Sequence, residues 1–261
     1  MCADLAFASA DLHVHTTGSD GIATPREVLD WAEAHTSLAV LAITDHDDPR
    51  PALRARELHA RGGYRFDFVV GMEVTTLEGH LLALFIERRV PSFRSLATTL
   101  DAIHAQGGLA IVAHPLSPLT RSLGRHGIER IIARRADGLW FDGIELANSS
   151  PAGRIAARRA AALNHRRFHL APTGGSDAHY LPAIGTSYTA FPGRTAEDLR
   201  AALQAGRTVA VAGRHPSLRE IGMRNVARQS ARALWATPSK VAERIAVRFG
   251  LAGAVREREA G

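Results

Sequence analysis

Short apolar, strand-length runs in this chain begin or end, time after time, in residues that can bind a metal ion. These are His13 and His15 with Asp20, His46 in Thr44-Asp45-His46-Asp47, Glu73 after Val69-Val70-Gly71-Met72, His80 before Leu81-Leu82-Ala83-Leu84, His114 in Ala113-His114-Pro115, and Asp177 with His179 in Gly174-Gly175-Ser176-Asp177-Ala178-His179. A lone histidine is usually a core or surface residue with an ordinary partner. Six of the thirteen histidines, joined by three carboxylates at strand ends, need a common cause. A polynuclear metal site at the mouth of a barrel supplies one, because there each strand end adds side chains to a shared centre. The expectation is a hydrolytic metalloenzyme.

The segments between these motifs alternate in period. Residues 11–15 predict a short strand, and Thr24-Pro25-Arg26-Glu27 predicts a helix start with a capping box and proline in its first turn. The run 38–44 is apolar throughout, as in a parallel strand buried on both faces. A helix over 51–60 should stop at Gly62-Gly63. Strands at 66–70 and 81–86 flank a loop carrying Glu73. Beyond it come a helix at 93–106, a strand at 109–113, a helix at 128–135, a strand at 143–146, a helix at 154–164 and a strand at 169–173. Repeated strand-then-helix units predict a parallel sheet. An open doubly wound sheet draws its site from few strands at one switch point. Ligands from at least six strand ends favour the closed form. After the Asp-x-His motif come a strand at 188–191, a helix capped by Thr195 and a strand at 208–212. The domain expectation is a barrel over 1–215 and a basic, mostly helical extension over 216–261, in which Arg224, Arg228 and Arg232 recur every four residues. That stripe is either a solvated helix face or an arm facing phosphate or nucleic acid.

Local chemistry supports the ligand set. A strand's period of two sends His13 and His15 to the same side. Asp20, reached through Thr-Thr-Gly-Ser, can fold back over the mouth or simply serve the turn. Charged groups directly after a buried strand are costly unless paired or ligating, so His46 reads as a ligand and Asp45 as a partner fixing an imidazole tautomer. Asp47 and Asp48 can equally cap the next helix. Glu73 has two oxygens and can bridge two cations, while His80 is either a ligand or a histidine opening a strand. Pro115 should hold His114 in an extended conformation. Gly174 and Gly175 should permit a tight, exposed turn before Asp177. Histidines 35, 59, 104, 126, 165, 169 and 215 are read as structural, and Glu145, at a strand end without a companion, as supporting or structural.

Composition narrows the class. The formal charge of +6 comes from arginine, since Lys240 is the only lysine, and it suits collection of phosphate-bearing substrates. Cys2 is the only cysteine, which excludes disulfides and thiolate metal sites. No apolar run approaches the roughly 18 residues of a membrane span, and the first candidate ligand at position 13 leaves no removable leader. The expected location is cytoplasmic, with no membrane partner. No nucleophile elbow or phosphate-binding P-loop is present.

Taken in order, His13-x-His15 with Asp20, Thr44-Asp45-His46-Asp47, Glu73, His114-Pro115 and Gly175-Ser176-Asp177-Ala178-His179 resemble the PHP (polymerase and histidinol phosphatase) family over about residues 10–215. The resemblance implies a distorted (β/α)7 barrel, two to three divalent cations and phosphoesterase activity. By the same analogy His13, His15, Glu73 and Asp177 hold one cation, Glu73 bridges to a second completed by His114 and His80, and Asp20, His46 and His179 form a third position. Many relatives carry histidine where this chain has Asp20. The short span from His80 to His114 leaves no room for the large insertion of the nucleotide-phosphatase branch. Barrel amidohydrolases share His-x-His but often bridge metals with a carboxylated lysine; here Glu73 takes that place. An all-nitrogen-and-oxygen ligand set suits Zn, Mn or Fe. The expected nucleophile is a hydroxide between two cations, with Asp20 or His179 protonating the leaving group when not ligating, and Asn148 and Arg154 grasping phosphate. The expected substrate is a small phosphomonoester such as a nucleotide or sugar phosphate. The alternative is a nuclease trimming oligonucleotide ends with help from the arginine-rich extension. A purely structural metal role fits poorly, since a structural site is one closed metal rather than nine ligands around an open mouth.

Overall fold

In a computed structural model, which describes residues 7–232, the apolar runs pair in chain order. The strands are β1 (Phe7–Asp11), β2 (Val40–Ile43), β3 (Asp67–Thr75), β4 (His80–Leu84), β5 (Leu109–Val112), β6 (Gly143–Asn148), β7 (Pro172–Gly175), β8 (Tyr188–Pro192) and β9 (Val209–Val211). They form one sheet in the order β7-β6-β5-β4-β3-β2-β1-β8-β9. The two ends of the β1–β7 series meet where Val14 bridges Ala178 in parallel, with His15 N donating to Ala178 O at 2.9 Å. The result is a nearly closed barrel of the expected distorted (β/α)7 kind.

The distortion lies at β4. Pairing is parallel through β1, β2 and β3 and again through β5, β6 and β7, but β4 runs antiparallel to both β3 and β5. No helix separates β3 from β4. A tight connection does so, with Thr76 Oγ1 accepting from the backbone of Glu78 and Gly79. Glu73 therefore sits within a strand, opposite Leu82, and not in the expected loop. Strands β8 and β9 extend the sheet antiparallel from β1.

Helices α1 (Pro25–His35), α2 (Arg50–Gly62), α3 (Leu96–His104), α4 (Arg125–Ile132), α5 (Pro151–Leu163) and α6 (Ala196–Gln204) connect strands, and α7 (Leu218–Ile221) follows β9. Thr24 and Glu27 form the predicted capping box, and Gly63, in the left-handed region at φ 66°, ends α2. Alternate residues of β2 enter two cores. Leu41 and Ile43 join Val28, Leu29 and Ala32 of α1 with Ala52 and Ala55 of α2. Val40 and Ala42 join Leu82, Leu84, Ile111 and Phe191 from other strands, with Leu199 and Leu203 of α6. Burial on both faces accounts for the unbroken apolar run. Residues 223–232 are helical; the rest of the predicted 216–261 extension lies outside the described residues.

Candidate metal centre

His13, His15, His46, His114, Asp177 and His179 reach the mouth just past the ends of strands, while Glu73 and His80 lie within β3 and β4. The strand predicted at 11–15 stops at Asp11, whose buried carboxylate accepts from the backbone N–H groups of His13, Ser176 and Gly185 at 3.3, 2.9 and 2.8 Å. These bonds, with the Val14–Ala178 bridge, bring 13–15 and 177–179 side by side. His13 and His15 still face one centre, both with Nε2 at 3.3 Å from Glu73 Oε2. His46 bridges to Glu73 in parallel past the end of β2.

Glu73 is 1% exposed and divides the cluster. Its Oε1 lies 2.7 Å from His80 Nδ1 and 2.9 Å from His114 Nε2. Its Oε2 lies 3.3 Å from His13 and His15 and 3.2 Å from His46 Nδ1. Asp177 Oδ1 approaches His13 and His15 Nε2 at 3.5 and 3.3 Å. On the outer side Asp20 Oδ2 approaches His179 Nε2 at 3.2 Å and His46 Nε2 at 3.9 Å. Groups with donor atoms all within 4.8 Å of one another are His13/Glu73/His114, His13/His15/Asp177, His15/Asp20/His179 and His15/His46/Glu73. His15 thus belongs to three of these groups, whereas the family resemblance implied a place in one.

These donors fit divalent cations. His15 Nε2 and His80 Nδ1 are buried without a hydrogen bond, although carboxylate oxygens lie 3.3 and 2.7 Å away. Close approach without hydrogen-bond direction is what two ligands of one ion show, and a buried imidazole nitrogen left so would otherwise be costly. The all-nitrogen-and-oxygen donor set matches borderline divalent metals.

Supporting contacts fix the imidazoles. His13 Nδ1 lies 3.0 Å from Glu145 Oε1, and Glu145 Oε2 accepts from His114 N at 2.7 Å. His114 Nδ1 is held by Ser122 Oγ and Thr120 Oγ1 at 3.0 and 3.2 Å, and His179 Nδ1 by Asp177 O at 2.9 Å. Ligating histidines commonly use their second nitrogen this way. The sequence gives no supporting role to Thr120, Ser122 or Asp11: the first two hold His114 from six and eight residues on, in a loop without a recognisable pattern, and Asp11 acts across the fold on Ser176 and Gly185.

Several expectations change. Asn148 is buried and its amide is occupied: Nδ2 donates to Glu145 Oε2 at 2.9 Å and Asp177 Oδ2 at 3.3 Å, while Oδ1 accepts from Ser150 N at 2.8 Å. It positions carboxylates and has no atom left for phosphate. Asp45 holds no imidazole; it accepts from Thr16 N, Thr16 Oγ1 and Ser19 Oγ at 2.8, 2.6 and 2.5 Å, shaping the loop that carries Asp20. Asp47 does not cap α2; it accepts from Thr75 and Ser92. His80 is both things at once, opening β4 and facing Glu73. His114 is not extended. Its φ is 27°, and Asp177 has φ 54°. The bonds to Glu145 and Glu73 hold His114 against the proline preference, as strained backbone at a site requires. Gly175 lies in β7 rather than in an exposed turn: a Cβ there would meet His13 Cβ at 2.6 Å and Glu145 Oε1 at 2.8 Å. Arg154 is exposed on the first turn of α5, with no partner among the described residues. The histidines read as structural have other contacts or exposed positions, such as His59 with Phe66 O and His104 with Asp142.

Charge compensation is nearly internal. Burial opposes charge on His13, but Asp177, Glu145 and Glu73 outweigh it and hold its pKa well above the usual value. The same contest, decided by Asp177 and Glu73, raises His15 to about 10. Burial pushes Glu73 up, yet His46, His80 and His13 hold it well below the carboxylate range; His13 and His15 do the same for Asp177, and His179 and His46 for Asp20. Burial alone wins at Asp11, raised to about 6 despite its hydrogen bonds.

Histidines and carboxylates converging on one end of an α/β barrel define a metal-dependent hydrolase of the barrel class. The PHP-associated family model matches residues 155–208. An uncharacterized protein of Methanocaldococcus jannaschii is 34% identical over 151 residues, 54% of this chain and 81% of that protein. The 5'-3' exoribonuclease Rnm of Salmonella typhimurium is 32% identical over 143 residues, 53% of this chain and 43% of the enzyme. A 3',5'-nucleoside bisphosphate phosphatase of Chromobacterium violaceum is 39% identical over 101 residues, 37% of this chain and 33% of the enzyme. Among solved structures, a two-domain protein of Bacteroides vulgatus containing a predicted PHP-like metal-dependent phosphoesterase shares the fold, with a TM-score of 0.64 at 21% identity over 82% of this chain and 68% of that one. The chain belongs to the PHP family of metal-dependent phosphoesterases. Its alignments span less than half the length of the two relatives with named activities.

Proposed function

We propose that the chain hydrolyses small phosphomonoesters, such as nucleotides or sugar phosphates, with two to three divalent cations of Zn, Mn or Fe. The observation that carries this reading is the division of Glu73, one oxygen facing His80 and His114 and the other facing His13, His15 and His46. Ions held on its two sides would share this carboxylate. In this reading His13, His15 and Asp177 complete one position, His80 and His114 a second, and Asp20, His46 and His179 a third. When bound, the cations supply Lewis acidity and make hydroxide available near neutral pH. The chain orients them through Glu145, Asn148, Thr120 and Ser122. Asp20 or His179, at the outer side of the cluster, delivers a proton to the leaving oxygen when not ligating. Arg154, exposed at the start of α5, contributes a charged grip on a non-bridging phosphate oxygen. A cytoplasmic location belongs to the same reading, and a single cysteine is compatible with it.

The nuclease reading is favoured by the similarity to an exoribonuclease and by the exposed Arg224 and Arg228. Deleting the 216–261 extension does not separate the two readings, because Arg232 contacts the loop carrying Asp20. A clean test measures steady-state turnover of nucleoside and sugar monophosphates and a short oligonucleotide by wild type, Arg154→Ala and an Arg224→Ala/Arg228→Ala double variant. We expect Arg154→Ala to lower monoester turnover about 10–100-fold, one charge-assisted contact, with metal content unchanged. Strong oligonucleotide preference that collapses in the double variant would favour the nuclease.

A further inference from the structure

The helix at 223–232 lies against the two loops that supply the outer ligands. Arg232 Nη2 donates to Thr17 O at 2.6 Å and Ser19 O at 3.0 Å, and its Nε is shielded from solvent. Three residues earlier, Gln229 Oε1 accepts from Tyr180 OH at 3.4 Å. Residues three apart share a helix face, so one face touches both loops. The Ser19 carbonyl belongs to the peptide that leads into Asp20, and Tyr180 directly follows His179. Arg224 and Arg228, in the same four-residue repeat, stay exposed. The stripe therefore splits: two members face solvent and the third is drawn inward.

The Asp20 loop needs such a hold. From the barrel side Asp45 fixes Thr16 and Ser19 side chains, and Thr17 N donates to Ala23 O at 2.7 Å. The carbonyls of Thr17 and Ser19 receive their side-chain donor from Arg232 alone among the described residues. Ile22 N donates to His179 O at 3.1 Å, so a shift in one loop moves the other. Asp20 and His179 approach each other at 3.2 Å, where a small rotation of the 19–20 peptide would part them.

We propose that Arg232 is a positioning residue for the outer cation position: by clamping the Thr17 and Ser19 carbonyls it sets the direction of the Asp20 carboxylate toward His179 and His15. The inference rests on Asp20 and His179 acting as ligands. Supporting contacts of this kind are worth about 10–100-fold in metal affinity. The planar guanidinium reaches both carbonyls from one nitrogen, and a lysine ammonium keeps charge and donors without that fixed geometry.

The test counts binding steps directly. Metal-free full-length protein is titrated with Mn(II), free ion being read from its EPR signal, and metal-free thermal unfolding is recorded alongside. The variants are Asp20→Ala, Arg232→Ala, Arg232→Lys and Arg228→Ala. Asp20→Ala should weaken or remove the weakest step. Arg232→Ala should weaken that same step about 10–100-fold and leave the tighter steps alone. Arg232→Lys should recover part of the loss, and Arg228→Ala should titrate as wild type. If Asp20→Ala weakens the step and Arg232→Ala does not, the clamp is wrong while the ligand reading stands. If Asp20→Ala itself titrates as wild type, the ligand reading falls and the clamp with it. Equal weakening of every step by Arg232→Ala, with a lowered Tm, would mean general support of the fold and would overturn the proposal.

Discussion

At the residue scale, identity of side chain and identity of role part company at several positions. Glu73, His114 and Asp177 carry the same residue type that a surface turn could use, yet each is buried and faces imidazole or carboxylate groups. Asp177→Asn and His13→Ala should each abolish phosphate release while leaving the protein folded, because both remove donors from the centre proposed to prepare the nucleophile. His35→Ala and His165→Ala, at exposed positions, should keep activity within about tenfold, or roughly 1.4 kcal/mol of barrier. Phosphate-release assays with circular dichroism on the four variants check this; controls as damaging as the motif changes would remove the ligand assignment. The convergence of these residues was legible in the sequence because charged side chains beside buried strands need a shared reason. Asn148 was not: a polar residue at the end of β6 looks the same whether its amide meets a substrate or, as here, Glu145 and Asp177.

At the element scale, the strands were legible as apolar runs, but their direction was not. Residues 66–70 and 81–86 carry the same pattern whether β4 runs parallel or antiparallel, and the turn at Thr76–Gly79 is fixed by hydrogen bonds that composition does not announce. The reversal has a consequence: His80 opens β4 opposite Thr75, which brings it within reach of Glu73 two residues earlier on β3. Strand β7 shows a second limit. Its glycines were expected to free a turn, whereas Gly175 permits the backbone to lie against His13 and Glu145. Gly175→Ala should therefore cost about 1–3 kcal/mol through overpacking and displace His13. Expected results are a lower Tm and reduced metal content together; an alanine variant with wild-type Tm and metal content would mean the strand yields freely.

At the scale of the whole molecule, the barrel concentrates ionisable groups at one end and balances them internally. Without cations, the fields of Asp177, Glu145 and Glu73 outweigh burial at His13, and those of Asp177 and Glu73 do so at His15, so both imidazoles retain protons at neutral pH. A cation must replace protons on the nitrogens it ligates, so binding releases protons and is favoured as pH rises. Calorimetric titration in buffers of different ionisation enthalpy should show net proton release, and apparent affinity should fall as pH is lowered from 8 to 6; proton uptake, or affinity independent of pH, would count against imidazole ligation. The barrel class was legible because candidate metal-binding residues recur along the chain at the spacing of its strands. The hold of Arg232 on residues 17–19 was not, since it joins positions more than two hundred residues apart in sequence.

The proposed sharing of Glu73 predicts that more than one ion is bound at once. The measurement that bears on this most directly is elemental analysis of protein saturated with Mn or Zn and then desalted, expressed as metal per chain. Two to three ions per chain are expected, because nine candidate donors around a divided carboxylate exceed what one four- to six-coordinate ion can use. A reproducible value of one or less would contradict the polynuclear centre.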